Sequence, residues 1–277
     1  MEAEKEVSNI SVLLEKLYQS PLLFQLGSRL RIADPQRIIL QNLQGSSVEC
    51  MLSALMMQST TSDLNHLLIV NDAEEAAYFH NTLENLTRAL DLFYFPSSFK
   101  NRKDFKQLNS SHVMLRTEAV TKIAAGGNKK VVITYPEALF EKVVIPETLS
   151  SNIIRIKTND TISPDQLMES FVRYGFRRSD FVYEPGQFAL QGGILDIYSY
   201  GNEKPYRIEL FGNEVDSIRL FDPESQLSER RLLQVTIIPN VETQFTSSIK
   251  VPLPEFLPED TIIWVKSWEE IAEKMDE

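Results

Sequence analysis

The run at residues 44–50, Gln-Gly-Ser-Ser-Val-Glu-Cys, stands where a nucleotide-binding fold would hold phosphate, and its residue types argue against that chemistry. A working phosphate loop needs glycines for close backbone approach, a Lys for the phosphates and a Ser or Thr for magnesium. Here the Lys is absent and Glu49 stands near its place, where its charge would repel a triphosphate. The three histidines, His66, His80 and His112, have no metal-ligand spacing to one another or to Cys50, so zinc is not expected. Cys50 lies in an apolar helical pattern and reads as a small buried hydrophobe. The acidic groups near Glu74 and Glu269 read as solvated helix faces. The chain is therefore read as a non-enzyme, with no catalytic residue, cofactor or metal assigned.

Arginine offers the other chemistry. Arg173, Arg177 and Arg178 cluster around the end of an expected helix at Tyr174-Gly175-Phe176. A planar guanidinium grips carboxylates in pairs and stacks on aromatic rings, which suits protein interfaces. Two local readings stay open: a partner contact, or a helix cap with bridges to Asp180 and Glu184. Phe188, on a short expected strand, reads locally as core, and Tyr183, Tyr198 and Tyr200 fit either core or interface.

The elements that would position these residues follow from periodicity. Ile10, Leu13, Leu14, Leu17 and Tyr18 have helical spacing, predicting a helix over 7–25. The run 37–43 predicts a strand that turns at Gly45-Ser46-Ser47 into a helix through Val48, Met51, Leu52, Leu55 and Met56. Strands are expected at 67–70, 92–95 and 131–134, with helices at 73–90 (capped by Asp72), at 113–125 (closed by Gly126-Gly127) and from Pro136. Strands alternating with helices predict a mostly parallel sheet. After about residue 153 and a helix at 163–174, short strands take over at 187–190, 194–198, 206–211 and 215–220, the last two joined by Gly212-Asn213. That texture predicts a second, mainly antiparallel domain. A strand at 261–266 and a helix opening at Ser267 end the chain without Gly or Pro, so it is read as a fragment of a longer protein.

The expected fold class is α/β, a mostly parallel sheet domain followed from about residue 151 by a mainly antiparallel α+β domain, with a mixed pattern again over the last forty or so residues. Composition fits a soluble cytoplasmic protein, with one cysteine and no apolar run of membrane-spanning length. With 28 Lys plus Arg against 39 Asp plus Glu, the net charge of -11 opposes non-specific binding to nucleic acid.

The stretch 174–226, YGFRRSDFVYEPGQFALQGGILDIYSYGNEKPYRIELFGNEVDSIRLFDPESQ, resembles the second domain of the bacterial transcription-repair coupling factors (the Mfd family) and a segment of their relative UvrB. The resemblance rests on Arg178 to Asp180, Gly192 to Ile197, and the Arg-Ile-Glu-Leu-Phe and Phe-Asp-Pro-Glu-Ser-Gln runs. It implies a degenerate helicase-like (RecA-like) first domain over residues 1–150, an inserted α+β domain over 151–236 and a return to the first domain over 237–277. It also implies a non-catalytic module that recruits UvrA of the excision machinery to stalled transcription sites, in a family whose full-length members are ATP-dependent DNA translocases. It implies a UvrA contact through Arg177, Arg178, Phe188, Gln191 and Arg207. Gln191 falls where the family usually has a second arginine, and Ala189 replaces an arginine of UvrB, so charge contributes less to the implied contact. The missing Lys and the short span from Tyr94 to Val113 match the coupling factors better than UvrB, which carries a phosphate loop and a long hairpin. Alternative readings are a UvrB-like DNA-binding or NTPase lobe, and an autoinhibitory domain that packs on the C-terminal part of its own full-length chain.

Overall fold

The computed structural model describes residues 10, 12–32, 34, 36–58, 61–87, 91–101, 104–240 and 249–276. Contacts group the chain into two compact units: Met1–Tyr94, Gly127–Glu137 and Leu257–Glu277 in one, Phe95–Gly126 and Ala138–Phe256 in the other.

The first unit is built on a four-stranded sheet in the order Ile262–Val265, His66–Ile69, Lys130–Thr134, Asp91–Tyr94, with every neighbouring pair parallel. The two central strands are buried along their whole length, which is why they read as unbroken apolar runs rather than alternating ones. The helix Ala73–Thr87 crosses between strands, and its start is fixed as expected by Asp72, whose Oδ1 accepts the Glu75 amide at 2.9 Å. In turn Glu75 Oε2 accepts the Asn71 amide at 2.9 Å, tying the residue before the cap to the first turn of the helix. The helix Trp268–Asp276 starts at Ser267, the residue expected to open it.

Two expectations fail in this unit. The helix expected over 7–25 is not continuous: residues 12–18 are helical, Ser20 is extended, and Pro21 opens a separate helix, Pro21–Leu30. Proline has no amide to continue the first helix but fits the first turn of the next. Residues 7–9 and 11 of that span lie outside the described residues. The strand expected at 37–43 is absent, because residues 36–44 are irregular and pair with no strand, and Asn42 adopts a positive φ of 63° that breaks an extended run. The helix after it, Ser47–Met57, is present. The span after Tyr94 belongs to the second unit and holds a short hairpin, Phe99–Asn101 with Asp104–Leu108.

The second unit holds a six-stranded sheet in the order Ser228–Leu232, Glu214–Phe221, Tyr206–Phe211, Ile194–Ile197, Gln187–Gln191, Arg177–Arg178. All pairs are antiparallel except the last, where Arg177–Arg178 runs parallel to Gln187–Gln191. The Gly212-Asn213 turn joins its two strands as expected, with Phe211 opposite Glu214 and Gly212 at φ 63°. One face of this sheet carries Phe188, Leu195, Ile197, Tyr206, Ile208 and Ile218 into a core with Phe171 and Phe176. Phe171 comes from the helix Pro164–Arg173, capped by Ser163, and its ring lies 5.4 Å from that of Phe188. A two-stranded ribbon, Ile154–Lys157 with Gln234–Ile237, adds Ile156, Val235 and Ile237 to the same core. Among the described residues, no helix is long and apolar enough to cross a membrane.

Candidate docking surface

The strand Arg177–Arg178 forms one edge of the six-stranded sheet, and both its side chains are exposed. Side chains alternate along a strand, so these adjacent arginines leave the backbone toward opposite faces. Arg178 is in register with Phe188, on the face covered by the helix Pro164–Arg173, and Arg177 with Gln187, on the other face. The edge therefore divides the expected site residues into two groups.

On the helix-covered face, Arg178 lines an open groove of about 710 Å³ with Asp165, Met168, Glu169, Val172, Arg173 and Phe188. Arg178 makes no ion pair among the described residues, leaving its full charge available. Phe188 is 1% exposed, so its ring belongs to the core and contributes little more than the floor of this groove.

On the outer face, Gln187, Ala189 and Gln191 stand in a row, and a smaller hollow of about 300 Å³ is lined by Asp180, Phe181, Ala189, Gln191, Ile194, Asp196, Arg207 and Gln226. Its floor is an ion pair. Arg207 faces Asp196 across neighbouring strands and grips it with two hydrogen bonds, Nε to Oδ1 and Nη2 to Oδ2, both 2.8 Å. The same guanidinium donates to the Gln226 carbonyl at 3.0 Å and lies 4.4 Å from the centre of the Phe221 ring. The bond to Asp196 raises the Arg207 pKa further above its usual value, outweighing the opposing effect of burial. Arg207 thus holds the sheet and neutralises Asp196, and its charge is already spent within the chain. Arg177, on this face, sits 3.9 Å from Glu184 in a pair exposed on both sides, which salt and water weaken to little net attraction.

Gln191 is exposed, and its Nε2 donates to the Asp180 carbonyl at 2.6 Å. Gln187 holds the same loop, its Oε1 accepting the amides of Tyr183 at 2.8 Å and Glu184 at 3.1 Å. Gln226 donates to the Val182 carbonyl at 3.2 Å. Three amide side chains therefore pin the loop that displays Phe181 and Tyr183. The roles of Phe181, Ile194 and Asp196 in forming the hollow escape the sequence reading, although large apolar residues at 181 and 194 on an otherwise polar face are the available signal.

In the first unit, Glu49 is buried near the start of the helix Ser47–Met57, and its Oε2 has no hydrogen-bond partner. The segment that would carry a phosphate loop thus has a carboxylate packed inside it and no lysine.

Residues 154–242 match the UvrB interaction domain family, a span that contains the whole six-stranded sheet. The transcription-repair-coupling factor of Bacillus subtilis (strain 168) is 30% identical over 205 residues, covering 74% of this chain and 17% of that protein. The protein of the same name from Staphylococcus aureus (strain Mu50 / ATCC 700699) is 29% identical over 194 residues, covering 70% of this chain and 16% of its own length. The chain thus spans only a small part of the length of the relatives it matches. Residues 154–242 carry the UvrB interaction domain match, in a chain similar to part of the transcription-repair-coupling factors over most of its length.

Proposed function

We propose that this chain is a non-catalytic docking module that binds UvrA and so recruits the excision machinery to stalled transcription sites, with residues 151–236 as its docking part. The observation that carries this reading is the exposed sheet edge within the UvrB interaction domain match, where Arg177, Arg178 and Gln191 stand at the surface and Arg178 makes no ion pair among the described residues. An unpaired guanidinium at a rigid strand edge is a ready anchor for a partner carboxylate. Phe188 and Arg207 support the surface from beneath. A cytoplasmic setting and the absence of ATP hydrolysis belong to the same reading, the latter because residues 44–50 carry no lysine.

The test is calorimetric titration of purified UvrA with this chain, wild type beside Arg178→Glu, with ATP and duplex DNA titrated on the same protein. Wild-type binding weakened by at least about tenfold on charge reversal is expected, the scale of an interfacial hot spot. Unchanged UvrA affinity in the variant would remove Arg178 from the contact. Binding of ATP or DNA without UvrA binding would replace docking by a nucleotide- or DNA-binding lobe.

A further inference from the structure

Phe181 and Tyr183 are 54% and 53% exposed, Ile194 is 42% exposed, and all three stand on the outer face or its bordering loop. Phe181 and Ile194 line one hollow and Tyr183 stands beside Phe181, so the apolar exposure here is grouped rather than scattered. The loop is fixed by Gln187, Gln191 and Gln226 through the bonds described above, and the Phe181 and Tyr183 rings lie 6.4 Å apart. Val182 between them is fully buried in a small cluster with Ala189, Tyr198 and Phe221, so the backbone is anchored between the two displayed rings. The aromatic pair is thus ordered before any partner arrives, which lowers the conformational entropy lost on binding.

The hollow beside it has walls of Phe181 and Ile194, a small residue, Ala189, at its base, and a floor whose two charges cancel in the Asp196–Arg207 pair. A site of this kind favours an apolar side chain over an anion, because the two floor charges cancel each other and the carboxylate of Asp180, which also lines the hollow, would repel added negative charge. On the same face Arg177 is held only by an exposed pair with Glu184, and it can be recruited by an acidic group on the partner.

We propose that this outer-face hollow is the energetic centre of the docking contact, receiving a projecting aliphatic or aromatic side chain of UvrA while a single partner carboxylate reaches Arg177 on the same face. Phe181, Tyr183 and Ile194 supply the apolar contact, and Arg177 supplies orientation. The proposal rests on UvrA being the docking partner and on its wrapping the edge strand, so that Arg178 remains a contact on the helix side, and it assigns the larger share of the affinity to burial of apolar surface on the outer face. Buried aromatic anchors carry most of the energy of many interfaces, whereas exposed rim charges chiefly affect rates and salt dependence.

The experiment is titration of UvrA with wild type, Phe181→Ala, Ile194→Ser and Arg177→Glu in low and high salt, with circular dichroism as the folding control. Phe181→Ala is expected to weaken binding by about tenfold or more and Ile194→Ser by several-fold. Raising salt from about 0.1 M to about 0.5 M, which shortens the screening length severalfold at most, is expected to weaken the wild type by under about threefold. Wild-type binding that survives both apolar substitutions within about twofold and collapses in salt overturns the apolar centre while leaving docking intact. No wild-type binding to UvrA overturns the docking reading and this proposal together.

Discussion

Acid should loosen the first unit through one buried histidine, and the size of the effect follows from its surroundings. His66 is 2% exposed on a central strand, and its Nδ1 accepts the Trp264 indole N–H at 3.0 Å. A second proton would have to enter at that nitrogen, breaking the bond to Trp264 and placing a charge in a dry site. Burial accordingly lowers the His66 pKa from 6.5 to about 4. A base whose folded pKa lies below its unfolded value contributes stability that is complete above pH 6.5 and fades as pH falls toward 4, because the unfolded chain takes up the proton first. The linkage relation gives a loss of about 2 kcal/mol at pH 5 and about 3 kcal/mol at pH 4, relative to pH 7.5. Both tryptophans of the chain, Trp264 and Trp268, lie in this unit, so tryptophan fluorescence in a urea titration reads its unfolding selectively. Other groups titrate over the same range, so the decisive quantity is the difference between wild type and His66→Leu. The variant should lose less stability than the wild type between pH 7.5 and pH 4, by about 3 kcal/mol. Equal losses in the two proteins would mean that His66 is not held neutral by burial.

Two further substitutions probe the docking unit. Phe171→Ala removes a fully buried ring that lies 5.6 Å from Phe176 and 5.4 Å from Phe188, and should cost about 3–5 kcal/mol in chemical denaturation followed by far-ultraviolet circular dichroism. Gly193→Ala would set a methyl 2.6 Å from the Leu210 carbonyl oxygen, forcing the two strands apart, and is expected to destabilise by about 1–3 kcal/mol in a thermal melt. The neighbouring Gly192→Ala meets no atom within 4 Å and is strained only by its φ of 61°, so it should cost about 1 kcal/mol; equal costs at the two positions would argue against the close strand approach at Gly193.

Much of the architecture is legible because the signals are local. Leu67-Leu68-Ile69-Val70 and Val131-Val132-Ile133-Thr134 are apolar because both faces of a parallel sheet are covered, and both runs mark observed strands. Asp72, Ser163 and Ser267 mark helix starts because a side-chain oxygen satisfies an exposed amide there. The failures are cases where pairing decides. Residues 37–43 have a strand-like pattern but no partner, whereas Ser228–Leu232, with Glu229, Arg230 and Arg231, lacks the pattern and is a strand because it pairs with the long strand Glu214–Phe221. Polar, charged composition is common on an edge strand, where it discourages pairing with other chains. The floor of the outer hollow was illegible for the same reason. Arg207 and Asp196 are eleven residues apart, and only the register of two antiparallel strands places them opposite each other.

That register also changes what a mutation at each arginine can report. Arg177 and Arg178 are consecutive in sequence and chemically identical, yet strand geometry sends one toward the outer face and the other toward the groove beside the helix Pro164–Arg173. A partner that covers only the outer face should respond to reversal of Arg177 and to loss of Phe181, and be indifferent to reversal of Arg178. A partner confined to the helix-side groove should give the opposite pattern, with Val172 and Arg178 sensitive and Phe181 silent. A partner that wraps the edge strand must engage both arginines, and the energetic coupling measured by a double-mutant cycle between them would then be small, since side chains on opposite faces share no direct contact. The two adjacent positions therefore distinguish three geometries of docking that a whole-domain deletion would leave merged.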